Sequence, residues 1–167
     1  MKKQNQYNRN TPRPKPEFEE KIVDVARITR VVKGGRRMRF RTLVVVGDRK
    51  GRVGAAVAKS IEVPVAAQKA AKKAKQNMVV VPITESGSIP HEIKSRFASS
   101  TIFLKPAPEG SSLVSGGSAR TVLELAGLRN VVSKSLGSNN KLNCVFATIQ
   151  ALSELKTAKK ETDVKDK

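Results

Sequence analysis

The residues of this chain that most clearly indicate a binding function are arginines at alternate positions of one short segment. Arg37, Arg39 and Arg41 are separated by single residues, Met38 and Phe40. Because side chains alternate across a β-strand, a strand here would place the three guanidinium groups on one face and turn the two apolar side chains towards the core. Guanidinium groups bind phosphate oxygens through paired hydrogen bonds. The spacing therefore predicts a strand face that binds a polyanion.

Basic residues also cluster at two turns beside this segment and along a following helix. The Gly34-Gly35 pair lets the backbone approach a phosphate closely, and basic residues flank it on both sides. A single such arginine would be explained by a strand face that is simply exposed to water. Three alternating arginines together with the basic turns favour contact with phosphates. The predicted nucleic-acid-binding residues are Lys33, Gly34, Gly35, Arg36, Arg37, Arg39, Arg41, Arg49, Lys50, Arg52, Lys69 and Lys72.

The arginine-bearing side of this strand is expected to carry no aromatic side chain, since Phe40 points to the opposite side. Proteins that read unpaired bases stack them on aromatic rings, whereas folded RNA is recognised mainly through its phosphates and its shape. The sequence therefore predicts that this strand recognises structured RNA rather than reading a single strand base by base.

Net charge supports the same class of partner. The 167 residues include 33 Lys and Arg against 14 Asp and Glu, a net charge of +19. Residues 1–80 carry +15 of this charge and residues 81–167 only +4. Such a surplus repels itself in a folded domain, and a nucleic acid neutralises it while releasing condensed counterions. A merely soluble charged surface and an anionic membrane are the alternatives, but no basic amphipathic helix with a large apolar side supports membrane binding.

Residues suited to catalysis or metal binding are sparse. His91 is the single histidine, and Cys144, the single cysteine, lies in a predicted apolar helix stripe where burial is expected. No Cys and His residues have the spacing of a zinc site, and one cysteine forms no internal disulfide. The sequence predicts a protein of a reducing compartment that is not an enzyme, with no metal, cofactor, small-molecule substrate or membrane partner.

The glycine- and serine-rich loop 110–117 precedes a predicted helix. Backbone N–H groups and the helix dipole at such a helix start favour an anion. Three interpretations remain open: the loop holds a nucleotide phosphate in a small-molecule kinase, it holds an RNA phosphate, or it is a flexible entry to the helix. The loop lacks the Lys of a Walker A motif, and the chain offers no evident catalytic base or carboxylate set for Mg²⁺.

The first block of the chain, residues 17–80, predicts the sheet and helix that position these cations. Runs rich in Val, Ile and Thr predict strands over 22–32, 37–46 and 52–59, with a turn at 47–51. Pro64 suits the first turn of a helix that continues to Gln76. This helix is expected close against the sheet because its inner stripe is all alanine: Ala66, Ala67, Ala70 and Ala74.

The second block, residues 81–156, alternates strands with helices. Strands are expected over 98–104 and 130–136, and the apolar run 78–83 at the junction is expected to be the first strand of this block. One helix should end at Gly127, and another should begin near Asn140. This order predicts a small α/β domain. Residues 1–16 are predicted to be a disordered basic arm and residues 157–167 a disordered tail.

Several short segments resemble one known family, in order and with family-like spacing from residue 19 to residue 155. They are VKGGR (32–36), VVGD (45–48), GRVG (51–54), EVP (62–64), SGGSARTV (115–122), AGL (126–128) and SLGSNN (135–140). Together they are similar to the bacterial-type family of small-subunit ribosomal protein five.

The resemblance implies an α+β fold in two parts. The first would be a double-stranded-RNA-binding-like domain, a three-stranded antiparallel sheet plus a helix, and the second a small βαβ-type α/β domain. It also implies a structural constituent of the small ribosomal subunit, cytoplasmic or in an organelle, that binds rRNA, contacts small-subunit proteins four and eight, and supports translational accuracy near the mRNA entry path. A free-standing regulator that binds structured RNA is the alternative function, and a small-molecule kinase is a further one.

The resemblance also assigns roles to individual residues. Residues Lys33, Gly34, Gly35 and Arg36 match a hairpin tip that approaches rRNA near the spectinomycin site in the family. Gly110, Ser112 and Arg120 match a loop and helix that face protein four, where substitutions alter fidelity. The chain departs from the family in two places: Ala55-Ala56-Val57-Ala58 replaces aromatic and glycine residues, and Ser112 stands where a glycine is common.

Overall fold

The computed structural model describes residues 17–156, so the predictions for segments 1–16 and 157–167 lie outside the described residues. This part of the chain is mixed α+β and holds two sheets, which confirms the predicted fold class. Its elements are β1 (Glu19–Val32), β2 (Gly35–Gly47), β3 (Arg52–Ser60), α1 (Val63–Gln76), β4 (Met78–Val80), β5 (Ile93–Phe97), β6 (Ser100–Pro106), α2 (Gly117–Ala126), β7 (Val131–Gly137) and α3 (Lys141–Ser153).

The first sheet is antiparallel throughout, in the order β1-β2-β3-β4. Its first three strands and the helix that follows agree with the prediction for residues 17–80. The fourth strand, β4, pairs with the start of β3 rather than joining the second sheet, so the expectation that segment 78–83 begins the second block is wrong. α1 packs along β3 and ends beside it, and the residues that follow therefore run back along the free edge of β3.

α1 lies close against the first sheet, as its alanine stripe predicts. Ala66, Ala70 and Ala74 are fully buried. A Cβ atom built on Gly54 of β3 would stand 2.5 Å from the carbonyl oxygen of Ala74, so only a glycine allows this approach. The side chains of this helix face are small, so α1 is stabilised by its packing against the sheet, for example against Val44 on β2.

The second sheet is antiparallel in the order β5-β6-β7. The sequence analysis predicted β6 and β7 but missed β5, which pairs with β6 through a tight turn at Ala98, where φ is 53°. β5 reads Ile-Lys-Ser-Arg-Phe, and its cations conceal the strand because the apolar content is low. α2 connects β6 to β7, its antiparallel neighbour, so this helix crossover does not produce a parallel strand pair.

One core extends across both sheets. Alternate residues of β2 point to opposite sides: Val44 and Val46 pack against α1, whereas Leu43 and Val45 pack towards α2 and α3. The larger cluster joins Leu43 to residues of β6, α2 and α3 at 3% exposure or less, such as Ile102, Val122 and Val145. The first sheet therefore lies between α1 on one side and α2 with α3 on the other.

The ends of α2 and α3 follow the local signals in the sequence. Gly127 ends α2 in the left-handed conformation, with φ at 92°. The side chain of Asn140 caps α3 by accepting a hydrogen bond from the backbone N–H of Leu142 at 3.2 Å. Cys144 is buried in α3, as predicted. Within residues 17–156, none of the helices is long and apolar enough to cross a membrane.

Candidate nucleic-acid interface

The hairpin of β1 and β2 extends beyond the core and is strongly cationic. From residue 25 to residue 42 it carries seven Lys and Arg and no Asp or Glu. Along β2 the residues from Leu43 to Val46 are buried, whereas those from Arg36 to Arg39 are exposed. The outer half of the hairpin therefore presents positive charge to solvent without acidic neighbours in its own strands.

One side of this outer hairpin gathers cations from three strands. The register places Arg30 of β1 opposite Arg37 of β2, and Ile28 opposite Arg39. These side chains share the side of the sheet that carries Leu43 and Val45 further along β2. They border an open concavity of about 530 Å³, lined by Ile28, Thr29, Arg30, Val32, Arg37, Arg39 and Lys59. We call this concavity, with the cations that line it, the hairpin face.

Arg41 stands on the same side of β2 but in a different environment. Its guanidinium lies 3.7 Å from a carboxylate oxygen of Asp24, and the other oxygen of that carboxylate accepts a hydrogen bond from Lys141 at 3.1 Å. Asp24 thus joins the base of the hairpin to the start of α3. Arg41 is therefore paired with a carboxylate of this chain. Arg37 and Arg39 have no acidic partner among residues 17–156.

The prediction that Met38 is buried is wrong, and Phe40 is only half-buried. Met38 is 46% exposed. The core on that side of the sheet reaches from α1 only as far as Val44 and Thr42, so the outer hairpin has no layer above it. The sulfur of Met38 instead contacts the guanidinium of Arg27 on the neighbouring strand. Alternation assigned the side correctly, but none of residues 17–156 forms a layer over that side of the outer hairpin.

The predicted basic turn between β2 and β3 lies far from the hairpin tip. β2 has 13 residues, so the tip and this turn are separated by roughly 40 Å at about 3.3 Å per residue. The cations of the turn also have intramolecular partners. Arg49 donates from two nitrogens to both carboxylate oxygens of Glu19 at 2.7 and 3.0 Å. Arg52 donates to Asp48 at 2.6 Å and to Glu17 at 3.2 Å.

These contacts shift the pKa values of the turn residues. Burial acts to raise the pKa of Asp48, but hydrogen bonds from the Arg52 side chain and from the backbone N–H groups of Arg52 and Lys50 outweigh it and hold the pKa below its usual value. Hydrogen bonding to Glu19 raises the pKa of Arg49, and hydrogen bonding to Asp48 raises that of Arg52. The turn is an ion-paired structure, and its contact with RNA stays a prediction.

The turn also docks against α2. The backbone N–H of Arg49 donates to the carbonyl of Leu125 at 2.9 Å, and that of Gly51 donates to Ala126 at 2.9 Å. A side chain on Gly47 would overlap the backbone of Leu125. The turn therefore joins the first sheet to the end of α2, a structural role that its composition did not reveal.

The structure brings together some of the predicted cations and separates others. Lys33, Gly34, Gly35 and Arg36 form the exposed tip of the hairpin, next to the hairpin face. Lys69 and Lys72 are exposed on α1, which covers the opposite side of the first sheet. Arg37 and Arg39 therefore share a surface with the tip but not with Lys69 and Lys72.

Three cations at or beside the hairpin were not predicted: Arg27 and Arg30 of β1, and Lys59 of the neighbouring strand β3. A two-residue turn at Lys33-Gly34 fixes the register of the strands that it joins, and this register pairs Arg30 with Arg37. Counting back from the glycine turn would have identified Arg30. No local signal identified Lys59, because its place depends on the pairing of β3 with β2.

The predicted partner-interface residues lie together near the start of α2. Gly110, Ser112 and Arg120 are all exposed. Gly110 and Ser112 both have left-handed backbones, with φ at 86° and 58°. α2 begins with no side-chain cap and no acidic residue in its first turn, and anion binding by loop 110–117 stays a prediction. His91 is exposed in the segment before β5, and residues 17–156 contain no group of three His, Cys, Asp or Glu able to hold a metal ion.

Comparison with known proteins gives consistent matches over both sheets. Residues 18–82 match the family described as "Ribosomal protein S5, N-terminal domain", and residues 95–166 match "Ribosomal protein S5, C-terminal domain". The chain is 46% identical over 151 residues to "Small ribosomal subunit protein uS5" of Mycoplasmopsis agalactiae. That alignment covers 90% of this chain and 65% of the relative, so the chain spans just under two thirds of the relative's length.

Proposed function

Because this chain belongs to the ribosomal protein S5 family of the small ribosomal subunit, we propose that it holds structured rRNA in place through phosphate contacts made by its β1–β2 hairpin. Phosphate contacts fix the position of a protein on RNA without reading the bases. A rigid two-stranded element that projects from a packed core can reach such phosphates while the core stays intact.

The observation that carries this proposal is the outer hairpin itself. It holds seven cations and no acidic residue over 18 positions, and the described part of the chain supplies no carboxylate for Arg37 or Arg39. Charge that the protein leaves unpaired on one exposed surface is available to a polyanion. The glycines at the tip keep the backbone accessible, since no atom lies within 4 Å of a Cβ built on Gly34 or Gly35.

We further propose that loop 110–117 and the start of α2 contact a neighbouring small-subunit protein. The family resemblance implies that this neighbour would be protein four, that protein eight would be another neighbour, and that the contact would support translational accuracy near the mRNA entry path. The exposure of Gly110, Ser112 and Arg120 is compatible with such a contact. The proposed role is structural rather than catalytic, in a cytoplasmic or an organellar ribosome.

Salt dependence of RNA binding tests the hairpin proposal. Each phosphate contact contributes a slope of about −0.7 to −0.9 to log K against log salt concentration. The double variant Arg37→Gln/Arg39→Gln should weaken binding to a structured rRNA fragment and reduce the slope by about 1.4 to 1.8. Fluorescence anisotropy between low and moderate salt measures both quantities.

The matched control removes the same charge elsewhere. Arg129→Gln/Lys156→Gln takes away two exposed cations that lie outside the hairpin, and it should leave most of the slope unchanged. Equal loss of slope in the two double variants would contradict a role for the hairpin. Failure of the chain to co-sediment with small subunits after a salt wash would instead favour the free-standing RNA-binding regulator.

A further inference from the structure

The second sheet has an exposed outer face, on the side away from α3. Ile102 and Leu104 of the central strand β6 are fully buried towards the core, so Thr101, Phe103 and Lys105 between them point outwards. The register sets three rows across this outer sheet face: Lys94–Phe103–Lys134, Arg96–Thr101–Leu136, and Lys105–Val132–Val114. The rows contain four cations, one aromatic ring and no acidic residue.

The cations of this face are available to a partner. Lys94, Arg96, Lys105 and Lys134 are all exposed, and none of them forms a salt bridge with any of residues 17–156. Among the apolar residues beside them, Val132 is 40% and Leu136 is 42% exposed, and Phe103 is half-buried. The surface therefore offers positive charge and apolar contact area together.

Two features favour an RNA strand over a protein as the occupant. Three of the four cations are lysines, and Lys is depleted from the core of protein interfaces. The one aromatic residue, Phe103, occupies the central strand with Lys94 and Lys134 directly on either side. In some RNA-binding modules, an antiparallel sheet with helices on one side stacks unpaired bases on aromatic residues of its open side.

We propose that the outer sheet face binds an unpaired segment of RNA, with a base on Phe103 and phosphates at Lys94 and Lys134. Adjacent strands lie about 4.8 Å apart, so the backbones at the two lysines are about 10 Å apart across the ring. The side chains are long enough to reach the phosphates on each side of a stacked base. This is a second RNA surface beyond the hairpin of the proposed function, and it shares no residue with the hairpin face.

Substitution of the ring without loss of charge tests the stacking step. Phe103→Leu keeps an apolar side chain and all four cations, and its folding can be checked by thermal unfolding. The probes are an oligouridylate of about 12 nucleotides and an abasic strand of the same length. The variant should bind the oligouridylate about tenfold more weakly while its affinity for the abasic strand stays within twofold. Unchanged affinity for the oligouridylate would overturn the proposal.

A second pair of variants separates this proposal from the hairpin proposal. Lys94→Gln/Lys134→Gln should weaken binding to the oligouridylate more than Arg37→Gln/Arg39→Gln does, and the order should reverse for a structured rRNA fragment. If the hairpin variant alone weakens binding to both probes, the outer sheet face is not an RNA surface even though the proposed function stands.

Crosslinking in the assembled particle distinguishes RNA from protein as the occupant. A photoreactive amino acid replaces Leu136, which is exposed on the outer sheet face. Adducts with rRNA would support the proposal. Adducts with a ribosomal protein and none with RNA would overturn it and identify this face as a protein interface.

Discussion

Arg37 and Arg41 have the same side chain and point to the same side of one strand, yet their surroundings differ. Arg41 lies 3.7 Å from Asp24 at the base of the hairpin, while Arg37 faces Arg30 across the outer hairpin. A guanidinium beside a carboxylate has part of its charge compensated within the protein. At the scale of single residues, the position along the hairpin decides which arginines are available to a phosphate.

Ser112 is a residue whose backbone favours glycine. Its φ of 58° is a left-handed conformation that costs a residue with a Cβ roughly 1–2 kcal/mol, whereas glycine adopts it without that cost. Glycine also loses more conformational entropy on folding than serine does, which lowers the free energy of unfolding by about 0.5–1 kcal/mol. Ser112→Gly should therefore raise the free energy of unfolding by about 0.5 kcal/mol, measured by urea unfolding.

Ser111 provides the control for this prediction. It precedes Ser112, is also exposed, and has no positive φ, so Ser111→Gly should lower the free energy of unfolding by about 0.5 kcal/mol. Effects of the same sign at both positions would contradict the explanation.

The two halves of β2 lie in different environments. Its inner half, with Leu43 and Val45 at 1% exposure or less, belongs to the core between the two layers of helices. Its outer half, with Arg37 and Arg39, lies beyond those helices and forms part of the hairpin face. One continuous strand thus fixes the cations rigidly to the core, which is what a positioning contact with RNA requires.

Substitutions in the two halves of β2 should affect stability differently. Leu43→Ala removes a buried side chain and should lower the free energy of unfolding by about 2–5 kcal/mol. Arg37→Gln/Arg39→Gln should change it by no more than about 0.5 kcal/mol, or raise it by relieving repulsion between cations. Urea unfolding of the free protein measures both. A large loss in the arginine variant would mean that the hairpin face stabilises the fold.

Although two family matches divide the sequence, one large buried cluster contains residues from both parts. Leu43 and Val53 of the first sheet belong to the same buried cluster as Val122 and Val145 of α2 and α3. The turn before β3 adds hydrogen bonds to the end of α2. The predicted division at residues 80 and 81 stays a prediction, but the larger buried cluster spans both parts, and only the smaller cluster between α1 and the first sheet belongs to one of them.

We expect the two parts to unfold together. Val145→Ala should cost about 2 kcal/mol and should accelerate amide hydrogen exchange in β2 and β3 as well as in β6. Hydrogen exchange with mass spectrometry measures each strand separately. Val80→Ala, at a site 74% exposed on β4, is the control and should leave exchange almost unchanged. Faster exchange confined to residues 93–153 would show two independent units.

The local chemistry of the residues was enough to predict most elements. Runs rich in Val, Ile and Thr identified β1, β2 and β3, Gly127 and Asn140 marked helix ends, and the alanine stripe indicated close packing of α1. β5 was missed because its alternate cations resemble a loop. These cations alternate because the outer sheet face is open, so the feature that concealed the strand is the one that suggests its function.

The sequence by itself determined the surplus of positive charge, the alternation of arginines along β2 and the family, because these depend only on residue types and their spacing. Only the tertiary structure decided which cations have carboxylate partners, which sheet β4 joins, and that Met38 is uncovered. Each of these properties depends on the three-dimensional position of an element that is distant along the sequence. Glu19 lies 30 residues from Arg49, and no local pattern indicates that their side chains meet.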